Sequence, residues 1–548
     1  MNHFSTRQNF FLCSYASTVE EEAKIDKFLQ FLDNSGVAEI LNEVRQRHSI
    51  QGGRPEINRY NLFATILYGF AFRNSTLREM EDICRYDLRY ICLMNGERPS
   101  HMVFGNFINE FILPNREEIF GTVMRQIVRV CHLDLCDVFI DGTKIEANAN
   151  KYKFVWKPTT YHTKLCDKIR TLLTEYSLER GIPEKEIFSS SLIIQKLEEI
   201  SELIQQNNDS RHLSKIHKEL TKHLEKALEY EEAERICGPD RNSYYKTDHD
   251  ATAMTLKTDY YSGLGSNMHA AYNVQVAVCK GFAMAYHVSQ NRNDIKDFVP
   301  TLEQFHRIYG KHPKNVCADS GYGSLENYRY MKANNIGSYV KHQSWEGNVS
   351  GKNPVSYRLN NDDTITCLNG KTGRQVSIEG RHPKNKGNVF YRITGCKKCD
   401  YRQFCKRWQK RKSENFKIFE VNIELRRFIQ EAETNLLSPK GIEIRVNRSC
   451  QNEGSYGVLK QDMHYIRFRR RSLSKVETEY MLTFLGYNIR KLFRYFNGTE
   501  SSSYWQAPSD LEPERFKKPS AKRLSKKATK KKKKSANEKA KTSYKYKK

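Results

Sequence analysis

The chain has 548 residues, 38% hydrophobic and 11% aromatic, which suits three or four packed domains and excludes a wholly disordered protein. The formal charge is +27; from Arg515 to Lys548 seventeen Lys or Arg stand against the single acid Glu538, and the remaining body is still basic, which points to a polyanionic partner. No run of about 18 apolar residues and no signal-peptide pattern is present, and the fourteen cysteines form no disulfide framework, so the expectation is a cytoplasmic protein with reduced thiols and no membrane span.

In chain order, residues 20 to 46 read as helix, with Ile25, Phe28, Leu29, Leu32, Val37, Ile40, Leu41 and Val44 at three- and four-residue steps. Gly52-Gly53-Arg54-Pro55 breaks it. Asn58 caps a second helix along Leu62, Phe63, Ile66, Leu67 and Phe70, and Ser75 is the cap candidate of a third. Pro99-Ser100-His101 then introduces Phe104, Phe107, Ile108 and Phe111. These short helices, residues 1–134, suit either a helical DNA-binding module or an ordinary helical core.

Val138-Phe139-Ile140 is a short strand-forming run closed by Asp141, and Gly142 turns the chain out of it. A carboxylate ending a buried strand needs a donor or a metal ion, although an Asp closing a strand into a turn is also common. The same pattern recurs at Val316-Cys317-Ala318-Asp319-Ser320-Gly321. Between the two lies a heptad-like helical stretch, about 164 to 235, read as an inserted helical hairpin broken near Asn207-Asn208-Asp209. Tyr272–Val278 and Phe282–Val288 alternate as the strands of a hairpin turned by Lys280-Gly281, and Asn293-Asp294 precedes a helix. After the Asp319 strand, Ser324 caps a helix and Gly337–Val340 reads as a further strand. This order of elements is that of a ribonuclease H-like α/β domain, in which the first and fourth strands lie side by side and two distant aspartates converge.

Residues 346 to 425 interrupt the pattern. Cys396, Cys399 and Cys405 stand close together among basic residues, with Cys367 upstream and His382 the second candidate for a fourth ligand; the spacing fits a structural zinc ion, and inert thiols are the alternative. Beyond residue 425, Arg448, Glu453, Tyr456 and Lys460 lie along one helix, Glu453 and Lys460 two turns apart on one face. Arg467, Arg469, Arg470 and Arg471 follow, interleaved with aromatic residues. That mixture suits phosphate contact, and a solvated basic face is its plain alternative.

Phosphodiester chemistry needs an in-line nucleophile and stabilisation of developing charge, which two hard divalent ions held by carboxylates supply. Asp141, Asp319 and Glu453 would hold magnesium or manganese, with Lys460 and Arg448 on DNA phosphates. Asp141 in Ile140-Asp141-Gly142-Thr143-Lys144, Asp319 in Ala318-Asp319-Ser320-Gly321-Tyr322, and Glu453 with Gly457 and Lys460 resemble the DDE transposases of bacterial insertion sequences, and within them insertion-sequence family eleven-eighty-two, related to the family-four group. Gly53-Arg54-Pro55, Ser75–Arg78, Tyr272–Gln275 and the Cys396 cluster extend the likeness over most of the chain. The signature usually places Arg four residues before the Glu; here Ser449 stands there and Arg448 one residue earlier.

The resemblance implies cleavage at the ends of the element and direct attack of a 3′-hydroxyl on target DNA, by a homodimer or higher assembly on paired ends. The organisation it suggests is a helical DNA-binding domain over 1–134; a catalytic core over 135–345, with the helical insertion at about 160–245, resumed over 426–505; the cysteine-rich insertion over 346–425; and a basic tail over 506–548. A catalytically inert DNA-binding descendant of a transposase and a stand-alone nuclease of this fold are the rival readings; inverted repeats flanking the coding region separate the transposase from both.

Overall fold

The computed structural model describes residues 19–43, 56–183, 187–206, 211–256, 267–380, 382–407, 414–498, 504–517 and 519–524; the Gly52–Pro55 and Asn207–Asp209 breaks and the tail beyond Leu524 lie outside them. The chain builds a mixed α/β structure. Strand β1 (Asp137–Glu146) is followed by β2 (Phe154–Trp156) and β3 (Ser243–Tyr245), which pair with each other, and by β4 (Thr252–Thr255), β5 (Met268–Cys279), β6 (Phe282–Ser289), β7 (Asn315–Ala318) and β8 (Gly337–Val340). The six-stranded sheet runs β4-β5-β1-β7-β8, with β6 also on β5. β4 and β6 share one edge of β5, β4 opposite Met268–Ala271 and β6 opposite Asn273–Cys279.

Local chemistry sets this topology. Lys280 and Gly281, both at positive φ (50° and 76°), give the tight turn that returns β5 into β6 with the natural strand twist. β1 and β7 are parallel, so they cannot be joined by a turn. The connection runs through the inserted helices, β4 to β6 and the Phe298–Tyr309 helix.

One apolar core runs from Ile25 and Phe28 through Phe63, Ile127 and Val276 to Tyr480 and Leu492. The Leu473–Phe496 helix is its spine: Val476 through Ile489 are nearly all buried, and it packs on the Arg59–Phe72 helix and on β6. The N-terminal helices therefore share the core of the sheet and do not bury one of their own. Gly36 at positive φ splits the first helical stretch into Val19–Asp33 and Val37–Glu43. Asn58 caps Arg59–Phe72 as expected, but the next cap is Thr76, not Ser75: its hydroxyl accepts from Glu79 N–H while the Glu79 carboxylate reaches back to Thr76 N–H.

Among the described residues the insertion holds three helices rather than a two-helix hairpin: Thr159–Glu175, Ser190–Gln206 and Arg211–Cys237, with a small core around Ile169, Leu173, Ile200 and Leu220. The extra break falls at Ser177 and Gly181, both at positive φ, ahead of Pro183. Residues after β8 form a separate antiparallel sheet, β9 (Tyr357–Leu359), β10 (Ile365–Cys367), β11 (Thr372–Val376), β12 (Asn388–Thr394) and β13 (Phe416–Asn422), ordered β13-β12-β11-β10-β9 around Tyr391, Ile393 and Val421. The Ile423–Leu437 helix then returns to β8. Among the described residues no helix is long and apolar enough to cross a membrane.

Candidate active site

The last registered pair between β1 and β7 is Phe139–Cys317, so Asp141 and Asp319 stand two residues further along neighbouring parallel strands. Asp319 ends β7 and caps the turn Ser320–Tyr322, its Oδ1 accepting the Gly321 N–H at 2.8 Å. A third carboxylate joins them. Asp294 opens the turn Asp294–Asp297, and its Oδ1 accepts from Asn273 Nδ2 at 2.8 Å and Gln275 Nε2 at 3.0 Å. A Cβ added to Gly321 would stand 2.9 Å from Asp319 Oδ1 and 3.5 Å from Asp294 Oδ2, so the two carboxylates flank one small space.

Among the described residues the one cation paired with this group is Arg448, whose Nη2 lies 3.1 Å from Asp141 Oδ1, with the two side chains only 13% and 21% exposed. Burial holds the Asp141 carboxyl above its ordinary pKa, and the charges of Asp319 and Asp294 push the same way; the Arg448 guanidinium and the Gly142 N–H oppose them. Beneath lies a hydrogen-bonded support. Asp297, fully buried, accepts from Ser289 Oγ and Asn291 Nδ2 at 2.6 Å and from Asn273 Nδ2 at 3.1 Å, and its pKa is pushed up to about 6 by burial. Asn273 thus bridges Asp294 and Asp297. The Tyr322 hydroxyl donates to Gln275 Oε1, which leaves the Gln275 amide N–H for Asp294. Gln275 lies across β1 at Gly142, where an added Cβ would meet its Oε1 at 2.5 Å and its Cδ at 2.8 Å.

Sequence reasoning missed Asp294, which read only as the residue before a helix. The signal was in β5: Asn273 and Gln275 stand buried among the apolar residues of 272–279, and two buried amides require partners.

The signature segment follows the Pro439–Arg448 helix as a π-helical turn Ser449–Glu453, an α-turn Gly454–Gly457 and a second π-helical turn Val458–Asp462. It lies on β1: the Tyr456 hydroxyl donates to the Asp141 carbonyl at 3.0 Å, and Lys460 Nζ donates to Thr143 Oγ1 at 2.6 Å. Glu453 does not join them. It is exposed, and among the described residues it makes no hydrogen bond or ion pair; no three His, Cys, Asp or Glu side chains there are grouped to hold a metal ion. The expected three-acid pocket is therefore not closed in this structure. Each π-helical turn takes an additional residue, so the face shared by Arg448, Tyr456 and Lys460 is not the one that regular helical spacing assigns to Glu453. The Ser449–Glu453 turn packs on β1 and β5. Among the described residues, buried Arg448 Nε and both amide atoms of Asn452 have no protein hydrogen-bond partner.

The other expected DNA contacts are largely occupied within the chain. Arg467 donates to the carbonyls of Ala147 and Ala149, Arg469 to those of Ser75 and Asn74, and Arg471 to that of Asn148, while Arg470 reaches Asn109 Oδ1 at 2.7 Å. These arginines staple the strand-end loops to the N-terminal helices, because unpaired carbonyls there offer guanidinium forks ready acceptors. Cys367, Cys396, Cys399 and Cys405 line one small cavity with Lys406 and Lys417, yet no three of them are disposed to hold an ion. Burial pushes the thiols of Cys396 and Cys405 up. The zinc expectation gains no support, and His382 does not line that cavity.

Residues 366–493 match the transposase DDE domain family, and residues 14–110 match a transposase domain family (DUF772). No curated relative and no solved structure matches the chain. The two matches leave the particular insertion-sequence group undefined. Taken together, they support placing this chain among the DDE transposases of insertion-sequence type.

Proposed function

We propose that the chain cleaves DNA phosphodiesters at the ends of its element and joins the freed 3′-hydroxyls to target DNA, using Asp141 and Asp319 as sheet-borne carboxylates. The observation that carries this reading is the parallel pairing of β1 with β7, which sets the two aspartates side by side with Asp294 at their flank. The sheet order, antiparallel on one side of β1 and parallel on the other, supports a ribonuclease H-like core.

The donor set fits a hard divalent ion such as magnesium or manganese: carboxylate oxygens on rigid strands, with excess negative charge that one guanidinium only partly offsets. Asp141 and Asp319 would hold it, with Glu453 brought in from the signature turn. When bound, such ions supply an activated oxygen nucleophile and neutralise charge building on the phosphate. The chain's own contribution is positioning. Gln275 and Asn273 orient Asp294, Tyr456 pins the Asp141 backbone, and the Arg448 guanidinium offsets part of the Asp141 charge. The enzyme acts on paired ends as a dimer or higher assembly.

The test is purified protein with magnesium and a duplex carrying the element's ends. The unaltered chain cuts at those ends, and Asp141→Asn and Asp319→Asn bind the same duplex without cutting it. Undiminished cleavage by Asp141→Asn would falsify the assignment.

A further inference from the structure

The body of the chain is basic without its tail, yet the arginines most evident in the sequence are tied to acceptors within the chain. A different surface has the charge to hold a polyanion. A cleft of about 460 Å³ is lined by Lys24 of the Val19–Asp33 helix, Phe72 at the end of Arg59–Phe72, Val458 and Asp462 of the second π-helical turn, and Arg490, Lys491, Phe493 and Arg494 near the end of Leu473–Phe496. We propose that this cleft binds the phosphate backbone of the DNA on which the carboxylates act; the proposal rests on the reading of the chain as a DNA-cleaving enzyme.

Four cationic side chains face one carboxylate there. Two helices end at the cleft, and their C-terminal carbonyls present about half a negative charge each. Lys24 makes no ion pair among the described residues. Arg490 makes no hydrogen bond or ion pair among the described residues, so Asp462 does not neutralise it.

The aromatic floor decides which part of DNA is contacted. Lys24 Nζ lies 4.3 Å above the Phe72 ring, and Phe72 packs edge-on against Phe493 with centroids 5.4 Å apart. These faces are already covered and cannot stack on bases, so the cleft favours phosphates and is indifferent to sequence.

Two further facts tie the cleft to the chemistry. It forms at the seam between the two matched transposase regions, since Lys24 and Phe72 lie within 14–110 and Val458 to Phe493 within 366–493. It also shares the signature segment with the site. Val458 and Asp462 line the cleft, while Tyr456 and Lys460 of the same stretch reach β1 at Asp141 and Thr143. A backbone lying in the cleft is one helical segment away from the carboxylates.

The experiment measures binding of the full chain to two short duplexes of unrelated sequence by fluorescence anisotropy over a range of salt concentrations. Replacing two phosphate contacts, in Lys24→Gln with Arg490→Gln, makes the slope of log affinity against log salt shallower by about 1.8, equally on both duplexes. Arg490→Lys keeps the slope of the unaltered chain. If the double variant does not fold, Arg490→Gln alone carries the test with a change of about 0.9. An unchanged slope in a folded variant overturns the cleft proposal alone, as does a loss confined to one duplex. Absence of DNA binding by the unaltered chain overturns the underlying functional reading as well.

Discussion

Replacing Arg448 by Gln removes the cation from a group of three carboxylates. The Arg448–Asp141 pair is 3.1 Å apart and mostly buried, so the change leaves Asp141 charged in a poorly solvated place beside Asp319 and Asp294. Breaking a buried pair from one side costs about 3–5 kcal/mol; residual exposure of 13% and 21% argues for the lower end, about 3 kcal/mol at neutral pH. Folding already raises the Asp141 pKa, so the stability its neutral form contributes is present in full below the unfolded carboxyl's pKa and is lost as pH rises through the folded value. Without the guanidinium the folded pKa rises further. The penalty of Arg448→Gln therefore grows with pH: in acid, where Asp141 is neutral, only a hydrogen bond of about 1 kcal/mol is lost, and at alkaline pH, where it is charged, the full cost appears. Adding Asp141→Asn removes the stranded charge, so the double variant is less damaged than the two single costs predict, by about 2 kcal/mol. Urea unfolding followed by far-ultraviolet circular dichroism at both pH values reads all four members of the cycle. Additive costs, or a penalty larger in acid than at neutral pH, would show that the pair is not the counter-charge argued here.

Gly142→Ala places a methyl group against Gln275, which Tyr322 and Asp294 hold from both ends, so Gln275 must move and release Asp294. A stability loss of about 1–3 kcal/mol is expected, together with a fall in end cleavage; urea unfolding and the cleavage assay check both, and an alanine variant matching the original in each would show that Gln275 yields freely. Asp297 supplies a pH dependence of its own. Its folded pKa is raised to about 6, so its contribution to stability is present below the unfolded carboxyl's pKa and fades as pH rises through about 6. Unfolding midpoints of Asp297→Asn from pH 4 to pH 7.5 lack that fall, and an identical pH profile in the two proteins would contradict the assignment.

The strand pattern was legible because it depends on local chemistry. Two apolar runs closed by Asp and a glycine turn announced β1 and β7, and Lys280-Gly281 announced the β5–β6 hairpin, since positive φ at two successive residues needs such a pair. What could not be read were the features set by partners distant in sequence. The helices before residue 134 resemble an independent module because their apolar faces are complete; only the Leu473–Phe496 helix, more than three hundred residues later, shows that those faces share a common core. The arginines at 467–471 look like a free basic surface for the same reason, since the carbonyls of Asn74, Ser75, Ala147 and Asn148 that receive them give no signal in the sequence around the arginines.

Glu453 shows the limit in the other direction. Spacing along a regular helix assigns it a face, and that assignment fails wherever backbone bonds shift from four residues to five. Here the shift occurs twice, on either side of Gly454–Gly457, directly over the strand that carries Asp141. A π-helical turn is a less stable arrangement than the α-helix it replaces. It lies beside the buried amide of Asn452 and the buried Arg448 Nε, neither of which has a protein hydrogen-bond partner among the described residues. Groups left in that condition gain most from a ligand that brings its own oxygens.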